Sequence, residues 1–239
     1  TATLSVTTNA TNYIWSGGST AATQSINTAT AGNQTFTVTV TNANNCTNTA
    51  TAQIIVNELP TASVQGSTVC LNEVVTLNVT TNASKYIWSD GSTNATLIVN
   101  TTKAIIQAFT VTVINGNGCS NTATAQVVVN ELPTVSVSNS TVCLNEAATL
   151  SVSTNATNYI WSGGSNATTQ TVNTATTGNQ TFTVTVTNAN NCTNTAMAQV
   201  IVNDLPTANV QDLTVCLNET AALSVATNAT NYIWSGGST

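Results

Sequence analysis

Of 239 residues, ten are charged (two lysines and eight acids), one is methionine, three are proline and none is histidine. Each shortage excludes a class of function. A nucleophilic serine or threonine needs a base within hydrogen-bond reach, and without histidine or a clustered acid pair the inventory supplies almost none. The chain therefore reads as no enzyme, with no catalytic residue and no organic cofactor. Two basic side chains cannot build a face for a phosphate backbone, which argues against nucleic acid as a partner. No run approaches 18 apolar residues, so no segment of this sequence reads as a membrane span. Six cysteines occur with no C-x-x-C pair and no histidine, which disfavours a zinc site. There is no signal peptide, and a sequence that starts inside a repeat says nothing by that.

What is abundant is repetition. The stretch N-A-T-N-Y-I-W-S-G-G-S-T at Asn9–Thr20 returns from Asn82, Asn155 and Asn228, each time 73 residues on, so that Trp15, Trp88, Trp161 and Trp234 mark a fixed period. The implied divisions are 1–59 (N-terminally incomplete), 60–132, 133–205 and 206–239 (C-terminally incomplete). Thr1 aligns with Val74, and Thr239 falls just after the tryptophan motif, so the sequence reads as a window on a longer repetitive chain. Net charge is −6, and 41% of residues are hydrophobic. That much apolar character in strict alternation predicts packed strands over disorder.

The complete second repeat shows the pattern. Val75, Leu77 and Val79 alternate with polar residues; Lys85–Trp88 is a short strand ended by the turn Ser89-Asp90-Gly91-Ser92. Strands are also predicted over Thr61–Val64 and Ala95–Asn100. Phe109, Val111 and Val113 alternate with threonines, and the turn Asn115–Gly118 closes a hairpin onto Ala123–Asn130. Short strands, turn signals every 8 to 12 residues and no helical period predict an all-β class: tandem immunoglobulin-like β-sandwich modules. The tryptophans are the predicted core residues, large side chains bridging two sheets. The pattern departs from antibody domains, which carry a cysteine pair where Leu and Val stand here. Modules this small bury a limited core and need disulfides or stacking on neighbours.

The cysteines form two series, Cys70, Cys143 and Cys216 before one strand, and Cys46, Cys119 and Cys192 after another. Paired cysteines in small modules point to an oxidising, extracellular setting. Pairing within a module joins Cys70 to Cys119 and Cys143 to Cys192. Yet Cys70 precedes the strand at Val74–Thr80 and Cys119 follows that at Phe109–Val113. In an immunoglobulin-like order these run the same way, which sets the two sulfurs at opposite poles. A ladder joining Cys70 to Cys192 in the next module avoids that separation and is favoured by topology. A curled first strand would rescue the within-module pair, and interchain bonds are a third option.

V-C-L-N-E, Y-I-W-S-D-G-S-T and F-T-V-T-V-I-N-G-N-G-C together resemble the immunoglobulin-like and polycystic-kidney-disease-like repeats of large bacterial surface proteins. The nearest likeness is to gliding-motility adhesins exported by the type IX system. The chain departs from those repeats in having Leu-Asn-Glu after the first cysteine and Asn-Asn-Cys in two of three hairpins. The resemblance implies a cell-surface adhesin, and the abundance of threonine and asparagine suggests an extended filament, such as the capture filaments of predatory marine relatives.

Three further features invite a functional reading. Glu73 with Glu131, and Glu146 with Asp204, recur at positions expected at one pole, where paired carboxylates could hold Ca²⁺; the plainer reading is solvated charge at the junction. Thr35, Thr37, Thr39 and Thr41 share a strand face, as do Thr181, Thr183, Thr185 and Thr187. Such uncharged faces suit packing against other copies of the chain, or, as the alternative, carbohydrate or ice. N-x-S/T sequons at Asn9, Asn33, Asn78, Asn94 and Asn155 allow glycosylation but follow from composition. The expected role is a secreted, non-enzymatic stalk or filament whose partners are its own copies and a cell or substrate surface.

Overall fold

The structure, a computed structural model, describes residues 1–236; the predicted fourth module at 206–239 has its last three residues outside that range. All regular structure in the described chain is β. It divides into two compact units, one spanning Thr1–Val129 and one beginning at Asn130.

The first unit contains two sandwiches. β1 (Ala2–Ser5), β2 (Asn12–Trp15), β3 (Thr23–Ile26), β4 (Gly32–Thr41) and β5 (Thr47–Val56) make a β1-β3 sheet and a β2-β4-β5 sheet. β6 (Ser63–Val64), β7 (Ser67–Cys70), β8 (Val75–Thr80), β9 (Lys85–Trp88), β10 (Thr96–Val99), β11 (Ile106–Ile114) and β12 (Ser120–Asn130) form sheets ordered β10-β8-β6 and β7-β12-β11-β9. The second unit holds β13 (Val135–Val137), β14 (Ser140–Cys143), β15 (Ala148–Thr154), β16 (Asn158–Trp161), β17 (Thr169–Val172), β18 (Gly178–Thr187) and β19 (Thr193–Asn203) in the orders β13-β15-β17 and β14-β19-β18-β16. A last pair, β20 (Ala208–Val210) and β21 (Val225–Thr227), follows. These are tandem immunoglobulin-like sandwiches, as the alternation predicts.

Alternation accounts for the core. Along β8, Val75 and Leu77 turn inward and Thr76 and Asn78 outward; the facing sheet contributes Trp88, Val111, Val113, Val127 and Val129. Trp88 sits opposite Val111 in the β9–β11 ladder, and Trp161 opposite Val184. Trp15, Trp88 and Trp161 are buried, and each indole Nε1–H donates to a main-chain carbonyl six residues on: Ala21 at 3.0 Å, Asn94 at 2.9 Å and Ala167 at 3.0 Å. That bond removes the cost of burying an unpaired N–H. Trp234 differs, being half-buried and outside any strand. The residues opposite its three counterparts (Val38, Val111 and Val184) lie 23 positions beyond each tryptophan.

Two features go beyond the predicted strands. Ser67–Cys70 and Ser140–Cys143 are strands of their own, and β14 runs parallel to β19. Four-residue strands without a clean alternation of apolar residues leave no signature against their surroundings. Gly66 enters β7 where a Cβ would stand 2.5 Å from the Gln126 carbonyl oxygen. In the third sandwich the corresponding Asn139 accepts the Gln199 N–H through its Oδ1 at 2.9 Å instead. Pro206 is exposed, whereas Pro60 and Pro133 are fully buried. Their carbonyls accept Asn121 Nδ2 at 2.8 Å and Asn194 Nδ2 at 2.9 Å, which ties each N-E-L-P segment to the sandwich that follows it.

Candidate functional site

The two cysteine series occupy two different turns, each built the same way at every occurrence. At Cys70, Asn72 takes φ 68°, the Glu73 N–H returns to the Cys70 carbonyl at 3.1 Å, and Glu73 Oε2 accepts the Cys70 N–H at 2.8 Å. Cys143 has the same arrangement, with Asn145 at φ 66° and Glu146 Oε2 at 2.9 Å from the Cys143 nitrogen. Cys216 repeats it with Asn218 at φ 69° and Glu219 Oε2 at 3.0 Å. Asparagine fits because its short polar side chain tolerates the left-handed region better than most. Below the turn, the buried Thr101 hydroxyl donates to the Glu73 carbonyl, and Thr174 does the same to Glu146. The turn is held rigidly at one end of the sandwich.

The second series sits in the hairpin between the two long strands. Asn42, Asn115 and Asn188 each accept a cysteine N–H through Oδ1 at 3.0 Å (Cys46, Cys119 and Cys192 respectively), and each asparagine N–H returns to that cysteine's carbonyl at 3.0 Å. The left-handed residue before the cysteine is Asn45, Gly118 or Asn191. The Asn-Asn-Cys and Asn-Gly-Cys versions thus make one turn.

The two turns stand at opposite ends of the sandwich. Cys143 is in register with Asn203, the last residue of β19, whereas Cys192 immediately precedes its first. Eleven residues of strand rise about 36 Å at roughly 3.3 Å each, far beyond the roughly 7 Å that a bridged Cα pair tolerates. The oxidation states agree: Cys70 and Cys192 are disulfide-bonded, while Cys46, Cys119, Cys143 and Cys216 are free. Neither within-module pair, Cys70 with Cys119 or Cys143 with Cys192, is formed.

Of the acids considered for Ca²⁺, Glu73 and Glu146 each commit one carboxylate oxygen to a cysteine N–H, and Glu131 is engaged through its main-chain carbonyl, which accepts Asn188 Nδ2 at 2.9 Å. Among the described residues no three of His, Cys, Asp and Glu gather closely enough to hold a metal ion. Asp90 plays a comparable part, its Oδ1 accepting the Ser92 N–H at 2.9 Å. That bond holds its carboxyl below the usual aspartate range.

The predicted threonine rows pair across strands. Thr37, Thr39 and Thr41 stand opposite Thr51, Thr49 and Thr47; Thr185 and Thr187 stand opposite Thr195 and Thr193; Thr110 and Thr124 share a 2.9 Å hydroxyl hydrogen bond. Ile14, Ile87 and Ile160 on the outer strand continue the rows at Thr39, Thr112 and Thr185 and are about half exposed. Beside them runs an open groove of about 400 Å³ lined by Thr11, Asn12, Tyr13, Ile14 and Thr39, and another of about 350 Å³ by Ser84, Lys85, Tyr86 and Ile87. β2, β9 and β16 are the edge strands there. Sequence reasoning found the threonines but not the edge. Alternation tells which side of a strand faces out, and strand order decides which strand is last.

No protein-family model matches the chain, and no curated protein matches it. Among solved structures it is similar to the fibronectin(III)-like modules of Clostridium thermocellum CbhA, at 13% identity over 61% of this chain and 95% of that one, TM-score 0.31. It is also similar to the titin I-band fragment I67–I69 (16% identity, 63% and 68% covered, TM-score 0.34) and to the N-terminal four Ig domains of Dscam1 isoform 9.44 (11%, 81% and 64%, TM-score 0.28). These likenesses concern fold alone. Among the described residues no helix is long and apolar enough to cross a membrane.

Proposed function

We propose that this chain is a non-enzymatic, extracellular repeat protein, a stalk or filament of tandem sandwiches stapled one to the next by disulfides. The observation that carries this reading is the choice of oxidised cysteines. Cys70 and Cys192 lie 122 residues apart, one at the start of the repeat 60–132 and the other at the end of the repeat 133–205. A bond between them bypasses about one and two-thirds repeats, so tension passes along the chain without pulling the modules apart. Disulfides persist in oxidising compartments, which supports an extracellular location. The nearly uncharged threonine faces and the open edge strands β2, β9 and β16 support lateral association with other copies, through hydrogen bonds that salt does not screen. The resemblance to type IX-exported adhesin repeats supports a role in adhesion or capture.

The test is electron microscopy of intact source cells labelled with antibody raised against the outward face of β4 and β5. Label along thin extracellular stalks or filaments is expected. Label confined to the cell interior would overturn the reading. The rival reading, a carbohydrate- or ice-binding module, finds little indole surface for a sugar to stack on in the three sandwiches, where Trp15, Trp88 and Trp161 are each at most 3% exposed.

A further inference from the structure

Each sandwich has an edge strand in its other sheet: β3 in the first, β10 in the second and β17 in the third, each with a neighbour on one side only. An antiparallel strand turns alternate backbone groups toward its neighbour and away from it. In β10, Leu97 and Val99 turn theirs toward β8, in step with the Val79 N–H bonded to the Ala95 carbonyl at 3.1 Å. Thr96 and Ile98 therefore turn theirs to the open side. Ser25 and Thr171 hold the place of Ile98 in the other two sandwiches. There the outward carbonyl is covered: Gln24 Nε2 donates to that of Ser25 at 3.1 Å, and Gln170 Nε2 to that of Thr171 at 2.9 Å. Both amides leave their Oε1 buried with no hydrogen-bond partner, so the cover is kept against a penalty. The second sandwich has Leu97 in place of the glutamine, packed into the core. Among the described residues no side chain covers the Ile98 carbonyl, and the Ile98 side chain is 74% exposed. Edge strands commonly carry a charge against pairing, as β9 does with Lys85; β10 carries none.

We propose that the open edge of β10 pairs, strand to strand, with β10 of a second copy of this chain. The edge is self-complementary. About a two-fold axis through Leu97, antiparallel pairing sets Thr96 against Ile98 of the other copy and Ile98 against its Thr96. Each of these pairs exchanges two N–H···O=C bonds, which satisfies the outward groups of both residues. The added strand extends the sheet as an extended peptide does when it docks on an exposed edge. Two three-stranded sheets, each β10-β8-β6, thereby become one continuous sheet. On its outer face the two Ile98 side chains lie diagonally across the join, within reach of each other, and lose their contact with water. The backbone bonds involve no charge, so salt does not screen them. This inference rests on the lateral association proposed above and gives it a fixed point, the one sandwich of the three whose β10-type edge is left uncovered.

The experiment takes the 239-residue chain, its free thiols alkylated so that no new disulfide joins copies, through sedimentation over a range of concentrations. Amide hydrogen exchange is followed by NMR at Thr96 and Ile98, with Ser25 and Thr171 for comparison. Expected is a reversible dimer that grows with concentration, in which exchange slows at Thr96 and Ile98 and stays as it was at Ser25 and Thr171. Leu97→Gln, which installs the side chain found at Gln24 and Gln170, should cover the edge and abolish the dimer. Ile98→Lys should do the same from a surface position, with tryptophan fluorescence unchanged to show that the fold is kept. Association with no change in exchange at Thr96 and Ile98, and with both variants associating as the parent does, would overturn the β10 edge and leave lateral association standing. Slow exchange at those two amides in dilute monomer would mean that the chain covers its own edge, which also overturns the inference. A chain that stays monomeric at every concentration overturns both the β10 edge and the lateral association on which it rests.

Discussion

The staple makes a mechanical prediction that can be sized. Stretching the unfolded chain from its ends extends all 239 residues only if no covalent bond short-circuits it. A Cys70–Cys192 bond withholds the 122 residue steps between them, which at about 3.6 Å per extended residue is roughly 440 Å out of a total near 860 Å. Oxidised chain pulled by force spectroscopy should therefore unfold to about half the contour length of reduced chain. Cys192→Ser should restore the missing length without reductant, and Cys143→Ser, which removes a free thiol, should leave the oxidised value unchanged. In the chain-entropy account a closed loop of this size also constrains the unfolded state by about 5 kcal/mol, so the oxidised chain should need more denaturant to unfold. Equal contour lengths before and after reduction would refute the staple, and with it the proposal that the disulfide carries tension between modules.

Further outcomes are expected from local features. The fluorescence of Trp88 and Trp161 should resist a water-soluble quencher and be indifferent to added sugars; quenching relieved by a sugar would favour the carbohydrate reading. Gly66→Ala places a Cβ 2.5 Å from the Gln126 carbonyl and should cost about 1–3 kcal/mol in denaturant unfolding, whereas Asn139→Ala, with no such clash, loses only one hydrogen bond. Asn145, at φ 66°, should accept glycine but lose about 1 kcal/mol on change to alanine. Asp90 is held below the usual aspartate range by Ser92. Any stability it adds is therefore present above that ordinary range and fades as pH falls through the depressed value, and an NMR titration of its carboxyl should show a midpoint lower than free aspartate's.

Much of the fold is written locally. The period of two in Val75–Val79 and Phe109–Val113 sets strands and their inward faces, because only alternation buries one side of a pleated chain. Lys85–Trp88 is predicted and found with the same ends, since the aromatic-rich run is bounded by turn residues on both sides. The cysteine turns are legible as positions, through their 73-residue recurrence, but not as structures. The asparagine and glutamate that shape them look like any polar residues until the capping bonds are seen.

By itself the sequence determined the all-β class, the 73-residue recurrence, the scarcity of charge and lack of histidine, and the choice of tryptophan as core of the sandwiches. All of these depend on composition or on residues near one another in the chain. Only the tertiary structure decided which cysteines could meet. The short strands β7 and β14 carry no pattern of their own, and the parallel register of β14 on β19, Cys143 against Asn203, is what puts the two cysteine series a strand's length apart. Edge position is likewise non-local: β9 and β11 both alternate, yet β9 has a neighbour on one side and β11 on both. Strand order is set by which faces pack around Trp88 and Trp161, a property of the assembled sandwich that no stretch of sequence holds alone.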